Sequence, residues 1–216
     1  MTLKQDIIDA RHATYAQQIE VLRRTLMANQ ELWHVLDILP DGCWVGAGAV
    51  MQNVWNCLDD RPWNEGLKDI DILYFDEEDL SSDAEQTRAC ELQAIYDSNP
   101  LTGHTRFELD VVNVARVHVW YEQIFGKRIK PYTSVAHSVS SWPTLCSMIA
   151  VNREKEEFNI IAPVGLYDMY CGLVRPNKLL ITKDIYIEKV TRWKHVWPWI
   201  TVLDWDADTS DLFCSV

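Results

Sequence analysis

Apolar residues recur along this chain first at helical intervals, then at strand intervals, then at both in turn. Ile8, Tyr15, Ile19, Leu22 and Leu26 follow one another at seven, four, three and four residues, the spacing of one helical face. Thr2-Leu3-Lys4-Gln5 ahead of them has the form of a capping box. Leu32, Val35, Leu36 and Leu39 predict a second, shorter helix, which Pro40-Asp41-Gly42 ends. The period then switches. Cys43 to Val45 reads as a short strand, Gly46-Ala47-Gly48 as a turn, and Ala49 to Leu58 as a helix burying Val50, Val54, Trp55 and Leu58. A loop from Asp59 to Leu67 leads to a strand over Asp69 to Phe75. Ser82-Asp83-Ala84-Glu85 has capping-box form and opens a helix to about Asp97. Thr105 to Asn113 alternates as a further strand, and Val114 to Ile124 reads as helix. Two more strands are expected at Leu145 to Val151 and Phe158 to Ala162, then a short helix after Pro163. A last helix beyond Arg175-Pro176-Asn177 carries Tyr186, Val190, Trp193 and Trp197 on one face. With no repeat and no linker, the pattern predicts one α+β domain over residues 1–216. Helical additions flank it, a lead-in over about 1–40 and a C-terminal region over about 180–216.

Composition narrows the function. The 216 residues carry a formal charge of −12, with 48% apolar and 24% charged positions. A soluble globular protein has this balance. Phosphate neutralisation dominates nucleic-acid affinity and needs a basic face, so no long nucleic acid is expected as a partner. Cys43, Cys57, Cys90, Cys146, Cys171 and Cys214 are scattered, with no C-x-x-C pair and no His at zinc-ligand spacing. No apolar run reaches membrane-spanning length and the first residues lack the apolar core of a signal peptide. Reduced thiols, a cytoplasmic location and no membrane association are the expectation. The sequence leaves the oligomeric state open. The ten tryptophans suggest an aromatic core more than a stacking platform, Trp193, Trp197 and Trp199 included.

The candidate chemistry lies in Lys68-Asp69-Ile70-Asp71-Ile72-Leu73-Tyr74-Phe75-Asp76. On a strand Asp69 and Asp71 point the same way, while Ile70 and Ile72 point into the core. Close carboxylates repel unless a cation sits between them, and a hard divalent ion such as Mg²⁺ (or Mn²⁺) prefers such oxygen ligands. Asp110, in Glu108-Leu109-Asp110-Val111, has the parity to join them if its strand pairs beside the first. Glu108 shares that parity and is the fallback. Taken alone, an Asp-x-Asp strand is more often the solvated face of a half-buried sheet, and a glycine turn a tight connection.

Glycine turn and helix, Asp-x-Asp strand, then one Asp on a later strand: this order resembles the DNA polymerase β-like nucleotidyltransferase superfamily. More closely, the chain resembles a bacterial nucleotidyltransferase-like family of unassigned substrate. The resemblance rests on Gly46-Ala47-Gly48-Ala49-Val50 with Asn53-Val54-Trp55, Asp69-Ile70-Asp71-Ile72-Leu73-Tyr74-Phe75-Asp76, and Asn113-Val114-Ala115-Arg116-Val117-His118. It continues through Trp142-Pro143, Ala162-Pro163-Val164-Gly165-Leu166-Tyr167-Asp168 and Val174-Arg175-Pro176-Asn177, roughly residues 40 to 200. It implies a mixed β-sheet flanked by helices, and metal-dependent transfer of a nucleoside monophosphate from an NTP to an acceptor, with loss of pyrophosphate. Asp69, Asp71 and Asp110 would be the metal ligands and catalytic carboxylates. The backbone of Gly46, Ala47, Gly48 and Ala49 would bind phosphate at a helix N-terminus. The superfamily turn carries Gly-Gly or Gly-Ser where this chain has Gly-Ala.

Cations are expected beside the phosphates. Arg116 and the cluster Lys127, Arg128 and Lys130 are the first candidates, with Asn53, His118 and Arg175 as further ones. Each has a plain alternative. Arg116 reads equally as a surface helix residue, the lysine-rich segment as a solvated loop and His118 as a structural histidine. The acidic run Asp76 to Asp79 reads as a solvated turn. Two competing functions remain: a degenerate relative that binds a nucleotide or a partner without catalysis, and a metal-dependent glycosyltransferase. The second is disfavoured, because a helical lead-in stands where a nucleotide-binding region of that class belongs.

Overall fold

A reciprocal cap at Thr14 divides the first expected helix in two. The Thr14 hydroxyl accepts the Gln17 N–H at 3.4 Å, and the Gln17 side chain accepts the Thr14 N–H at 3.0 Å. The two satisfied donors start a new helix and stop the old one. The computed structural model describes residues 2–101 and 107–207, and opens with α1 (Leu3–Ala10), α2 (Tyr15–Ala28) and α3 (Gln30–Ile38). Ile7, Leu22 and Leu26 are buried, whereas Tyr15, expected on the apolar face, is exposed.

The sheet region follows with β1 (Trp44–Gly46), α4 (Ala47–Leu58), β2 (Asp69–Tyr74), α5 (Ser82–Ser98) and β3 (Glu108–Asn113). Helix α4 starts two residues earlier than its pattern suggests, with no side-chain cap. Ser81 caps α5, accepting the Ala84 N–H at 3.2 Å, so Ser82 is not the cap. A 3-10 turn (Val114–Arg116) leads into α6 (Val117–Phe125), and a short α7 (Val135–Val139), not anticipated, starts at the Ser134 cap. The strand expected from Leu145 begins only at Ala150. Thr144 and Ser147 hold a 3-10 turn (Leu145–Ser147) through their hydroxyls, 2.8 Å apart, and through Ser147 Oγ donating to the Thr144 carbonyl at 2.9 Å. The hairpin β4 (Ala150–Glu154) and β5 (Glu157–Ile161) comes next, then α8 (Tyr167–Cys171), β6 (Leu173–Val174), α9 (Lys183–Val196) and β7 (Thr201–Val202). The C-terminal region expected to be helical thus also contributes a strand, β7, parallel to β6. Thr105, Arg106 and Cys214 lie outside the described residues.

Five strands form one mixed sheet in the order β3-β2-β1-β4-β5, with β2 and β3 parallel and the other pairs antiparallel. One face presents Val45, Ile70, Ile72, Leu109, Val111 and Val151 to the main core, which α1 to α4 and α9 complete. The opposite face is only partly covered. There Leu73, Ala150, Val112, Trp44 and Ile161 pack under Val117 and Tyr121 of α6 and Val139 of α7. The rest of that face belongs to the carboxylates of β2 and β3. Gly46 is required where the two regions meet, since a Cβ there would stand 2.5 Å from the Trp142 ring. Among the described residues no helix is long and apolar enough to cross a membrane.

Asn56, fully buried on α4, ties three segments together. Its Nδ2 donates to the carbonyls of Trp63 at 2.8 Å and Glu65 at 3.0 Å, while its Oδ1 accepts the Trp197 indole N–H at 2.8 Å. The loop delivering Asp69 is thereby fastened to α4 and to the end of α9. Trp55 adds edge-on contacts to Trp193 at 5.6 Å and Trp197 at 5.3 Å. Asn56→Ala leaves two carbonyls and one indole N–H unpaired in the core and is expected to cost about 2–4 kcal/mol. Urea denaturation followed by far-UV dichroism checks this, and a loss below about 1 kcal/mol contradicts it.

Candidate active site

Parallel pairing of β2 with β3 sets Asp69 beside Glu108 and Asp71 beside Asp110. Because side chains alternate, all four carboxylates leave the same sheet face. Like charges directly abreast on neighbouring strands destabilise a sheet. The cost is visible in the acidities. The Asp71 carboxyl, half-buried, is pushed up to about 7, first by burial and then by the charges of Asp69 and Asp110. Asp110 is raised by burial and then by the charges of Asp69, Glu108 and Glu85.

Two groups oppose this repulsion. The backbone N–H of Gly48, in the first turn of α4, donates to Asp71, and the charge of Lys189 acts on it from α9. Helix α4 has Gly46 as its N-cap and no side-chain cap, so its positive end is left to the carboxylates and to whatever binds beside them. Ala47 turns the chain at φ +40° with its N–H held by the Ile149 carbonyl at 2.9 Å. A left-handed alanine is strained, and this one stands at the turn from β1 into α4. Gln52, one turn further along and packed near Gly48, is buried with no hydrogen-bond partner for its Oε1 among the described residues.

The sequence-predicted cations lie differently. Arg116 is bound to Glu85 of α5 and, at 3.2 Å, to the Leu80 carbonyl. Lys127 donates to the Leu179 carbonyl, Arg128 pairs with Glu122 at 2.9 Å, and Lys130 is exposed. None of these four is among the charges acting on Asp71 or Asp110. Arg175 is buried in a two-pronged bond to Asp168, both contacts 2.7 Å. His118 Nδ1–H donates to the Ala115 carbonyl at 2.9 Å, closing its own turn. Asn53 is buried on α4 and lines a cavity of about 500 Å³ with Thr25, Asn29, Cys57 and Trp63, which none of the carboxylates borders.

Lys189 was not singled out from the sequence, although a signal existed. It sits one turn from Tyr186 and one turn from Trp193, on the stripe of α9 that faces the core. A lysine on an apolar stripe either snorkels out or has a charge to meet.

Hard carboxylate oxygens suit Mg²⁺ or Mn²⁺, and the raised pKa of Asp71 marks crowded negative charge that a counter-ion would relieve. Among the described residues no three His, Cys, Asp or Glu side chains are gathered closely enough to hold an ion by themselves. Magnesium needs fewer, since one or two carboxylates suffice where water and substrate phosphates complete the shell. The donor set therefore fits such an ion held jointly with a phosphorylated substrate.

Comparison with known proteins bears on this arrangement. Residues 36–202 match a family model described as nucleotidyltransferase. No curated protein matches. A solved NMR structure described as revealing a CCA-adding enzyme head domain aligns with a TM-score of 0.64 and 21% identity, covering 84% of this chain and 95% of that one. At that identity the likeness is one of fold.

Two outcomes follow from the geometry. Folded Asp71 keeps its proton to about pH 7, whereas an unfolded aspartate releases it near 3.8. Between those values the folded state binds more protons, so this group lowers stability as pH rises through the interval. In metal-free buffer Asp71→Asn should therefore raise stability at pH 8, by on the order of 1–2 kcal/mol after allowing for solvent screening. The gain should shrink toward pH 5, and thermal melts in chelator at the two pH values decide it. Arg175→Met, by contrast, strands Asp168 in the core and should cost about 3–5 kcal/mol in urea denaturation.

Proposed function

The chain belongs to the nucleotidyltransferase family, and from that premise we propose that it moves a nucleoside monophosphate from an NTP to a hydroxyl of a small molecule or a protein, releasing pyrophosphate. The observation that carries this reading is the in-register Asp71–Asp110 pair, with Asp69 on the same face, beside the uncapped end of α4. Such a placement is costly to the fold and is explained by a cationic, phosphate-bearing occupant.

Asp69, Asp71 and Asp110 would supply carboxylate oxygens to the divalent ion, Mg²⁺ or Mn²⁺, with the substrate phosphates and water completing its shell. When bound, that ion supplies neutralisation of the charge on the phosphate oxygens. Asp110, the most exposed of the three, takes the acceptor's proton directly or through water as the acceptor oxygen bonds to the α-phosphorus. The bond from that phosphorus to its bridging oxygen breaks, and pyrophosphate carries away the electron pair. The N–H of Ala49, next in α4 after those of Ala47 and Gly48, which are taken by the Ile149 carbonyl and Asp71, would face the phosphate oxygens at the positive end of the helix dipole. Asn56 and Trp197 keep the Asp69 loop and α4 in fixed relation, which in-line displacement requires.

The net charge of −12 argues against a long polyanionic acceptor, so the activity named for the structural neighbour is not carried over. A second reading, nucleotide binding without turnover, is favoured by one observation. The turn at Gly46 and Ala47 offers no hydroxyl to a phosphate, and the N-cap position makes no side-chain bond.

Incubation with each of the four α-labelled NTPs, Mg²⁺ and a metabolite extract, with detection of released pyrophosphate, tests the proposal. Label should move to an acceptor, and Asp69→Asn and Asp71→Asn should each lower that transfer by at least ~10³-fold without loss of fold. Transfer surviving both changes overturns the mechanism. A nucleotide-induced rise in melting temperature, indifferent to metal and to Asp71, would establish the second reading instead.

A further inference from the structure

Three separate segments meet at the cavity beside Asn53. Thr25 comes from α2 and Asn29 from the junction of α2 with α3, Asn53 and Cys57 from α4, and Trp63 from the loop that delivers Asp69. A volume of about 500 Å³ suits a small organic molecule. Asn53 and Cys57 follow Gly48 along α4 at roughly 8 and 14 Å, at the helical rise per residue. None of the carboxylates of β2 and β3 borders the cavity, so a molecule held there stands apart from the reacting groups.

The cavity wall carries amide groups that the fold leaves unused. Asn53 is 4% exposed, yet its side chain makes no hydrogen bond among the described residues. Asn29 Oδ1 accepts the Leu32 N–H at 3.3 Å, but its Nδ2 is buried with no partner among the described residues. Thr25 donates its hydroxyl to the Val21 carbonyl at 2.8 Å and can still accept a bond. Amides taken out of water without partners cost free energy, and folded proteins keep few of them. The charged side chains of the wall are already engaged, Arg61 with Asp59 and Glu65, and Glu31 with the Tyr96 hydroxyl at 3.3 Å. Leu3, Ala28 and Trp63 make an apolar share of the wall, and the Trp63 ring meets Phe107 edge-on at 5.5 Å. Water in the cavity would satisfy the amides and leave these apolar groups wet.

Unmatched amides, engaged charges and an aromatic residue in the wall select a ligand that is uncharged, planar and edged with donors and acceptors. A carboxamide sets one donor beside one acceptor, the pattern with which asparagine pairs to the edge of adenine. Aromatic side chains stack on a base of any sequence. We infer that this cavity is a second ligand site, taking an uncharged nucleobase or nucleoside, with Asn53 as its main hydrogen-bonding residue. A phosphorylated ligand fits poorly, because Glu31 borders the cavity and Arg61, the one cation among its described wall residues, is paired. The occupant bridges α2, α4 and the loop before Asp69, and so favours the native state whatever the carboxylates bind.

Isothermal calorimetry on the full chain in chelator tests this, with adenosine, guanosine, cytidine, uridine and their triphosphates as probes. At least one nucleoside should bind with a Kd below ~1 mM, and its triphosphate more weakly. Asn53→Leu removes the carboxamide at similar volume and should weaken that nucleoside at least ~10-fold. Should that variant fail to fold, Ala28→Trp fills the cavity from an exposed position and is expected to do the same. Asp71→Asn should leave nucleoside affinity as it is in the wild type. The inference is overturned if no nucleoside binds the wild-type chain, or if a folded Asn53→Leu chain, or Ala28→Trp in its place, binds as the wild type does. A triphosphate that binds more tightly than its nucleoside without metal also overturns it. Nucleoside binding lost in Asp71→Asn and kept in Asn53→Leu would put the base at the carboxylates and leave the cavity without a ligand.

Discussion

Parallel registration of β2 and β3 governs this molecule, because it forces Asp71 and Asp110 to stand abreast although their charges repel. Something must hold the pairing against that force. Part of it is apolar, since Ile70, Ile72, Leu109 and Val111 on the opposite face are buried in the main core. The other part comes from α5, which covers the free edge of β3 with side chains in place of another strand. Gln93 Oε1 accepts the Leu109 N–H and Glu85 Oε2 accepts the Asn113 N–H, both at 2.8 Å. Edge groups bound in this way pin the register of β3. Glu85 also receives Arg116, so a cation expected at the phosphates is spent on locking the strand that carries Asp110.

The helical elements act on the same site from the other side. Helix α4 brings an uncapped N-terminus to Asp71, and α9 brings Lys189. Both are fixed by one tryptophan-rich contact and by the three hydrogen bonds of Asn56. Gly66 belongs to this arrangement: at φ +75°, a Cβ there would lie 2.7 Å from the Trp197 ring. The tryptophans therefore serve function indirectly. They are core residues, and the core they build sets the distance between a helix dipole, an ammonium and a carboxylate row. Stability is concentrated in that wall and is surrendered at the carboxylates, which is the usual division between a scaffold and a reacting surface.

Charge was the least transferable part of the linear reading. Arg116, Lys127, Arg128 and Arg175 stand out in an acidic chain, yet each has a partner that only folding supplies. Glu85 lies thirty-one residues from Arg116, and the Leu179 carbonyl lies fifty-two from Lys127. Lys189 is inconspicuous in the sequence, and its charge acts on Asp71 once α9 is seated on α4 through Trp193 and Trp55. Local concentrations of charge report solvation; which charge meets which depends on packing.

Periodicity alone determined most of the elements: the alternation around Asp69 and Asp71, the helix after the glycine turn, and the buried stripe of Tyr186, Val190, Trp193 and Trp197. It also gave the parity of Asp110, since a strand of period two commits each side chain to one face. Side-chain hydrogen bonds displaced the boundaries that periodicity missed, at Thr14, Ser81 and Thr144, because a polar cap competes with an apolar pattern without altering it. The pairing of β2 with β3, the approach of Gly48 to Asp71, the arrival of Lys189 and the retirement of Arg175 into a buried ion pair were decided in three dimensions. All but the last join segments far apart in the chain, and no local rule of spacing records which distant backbone a strand or helix will lie against.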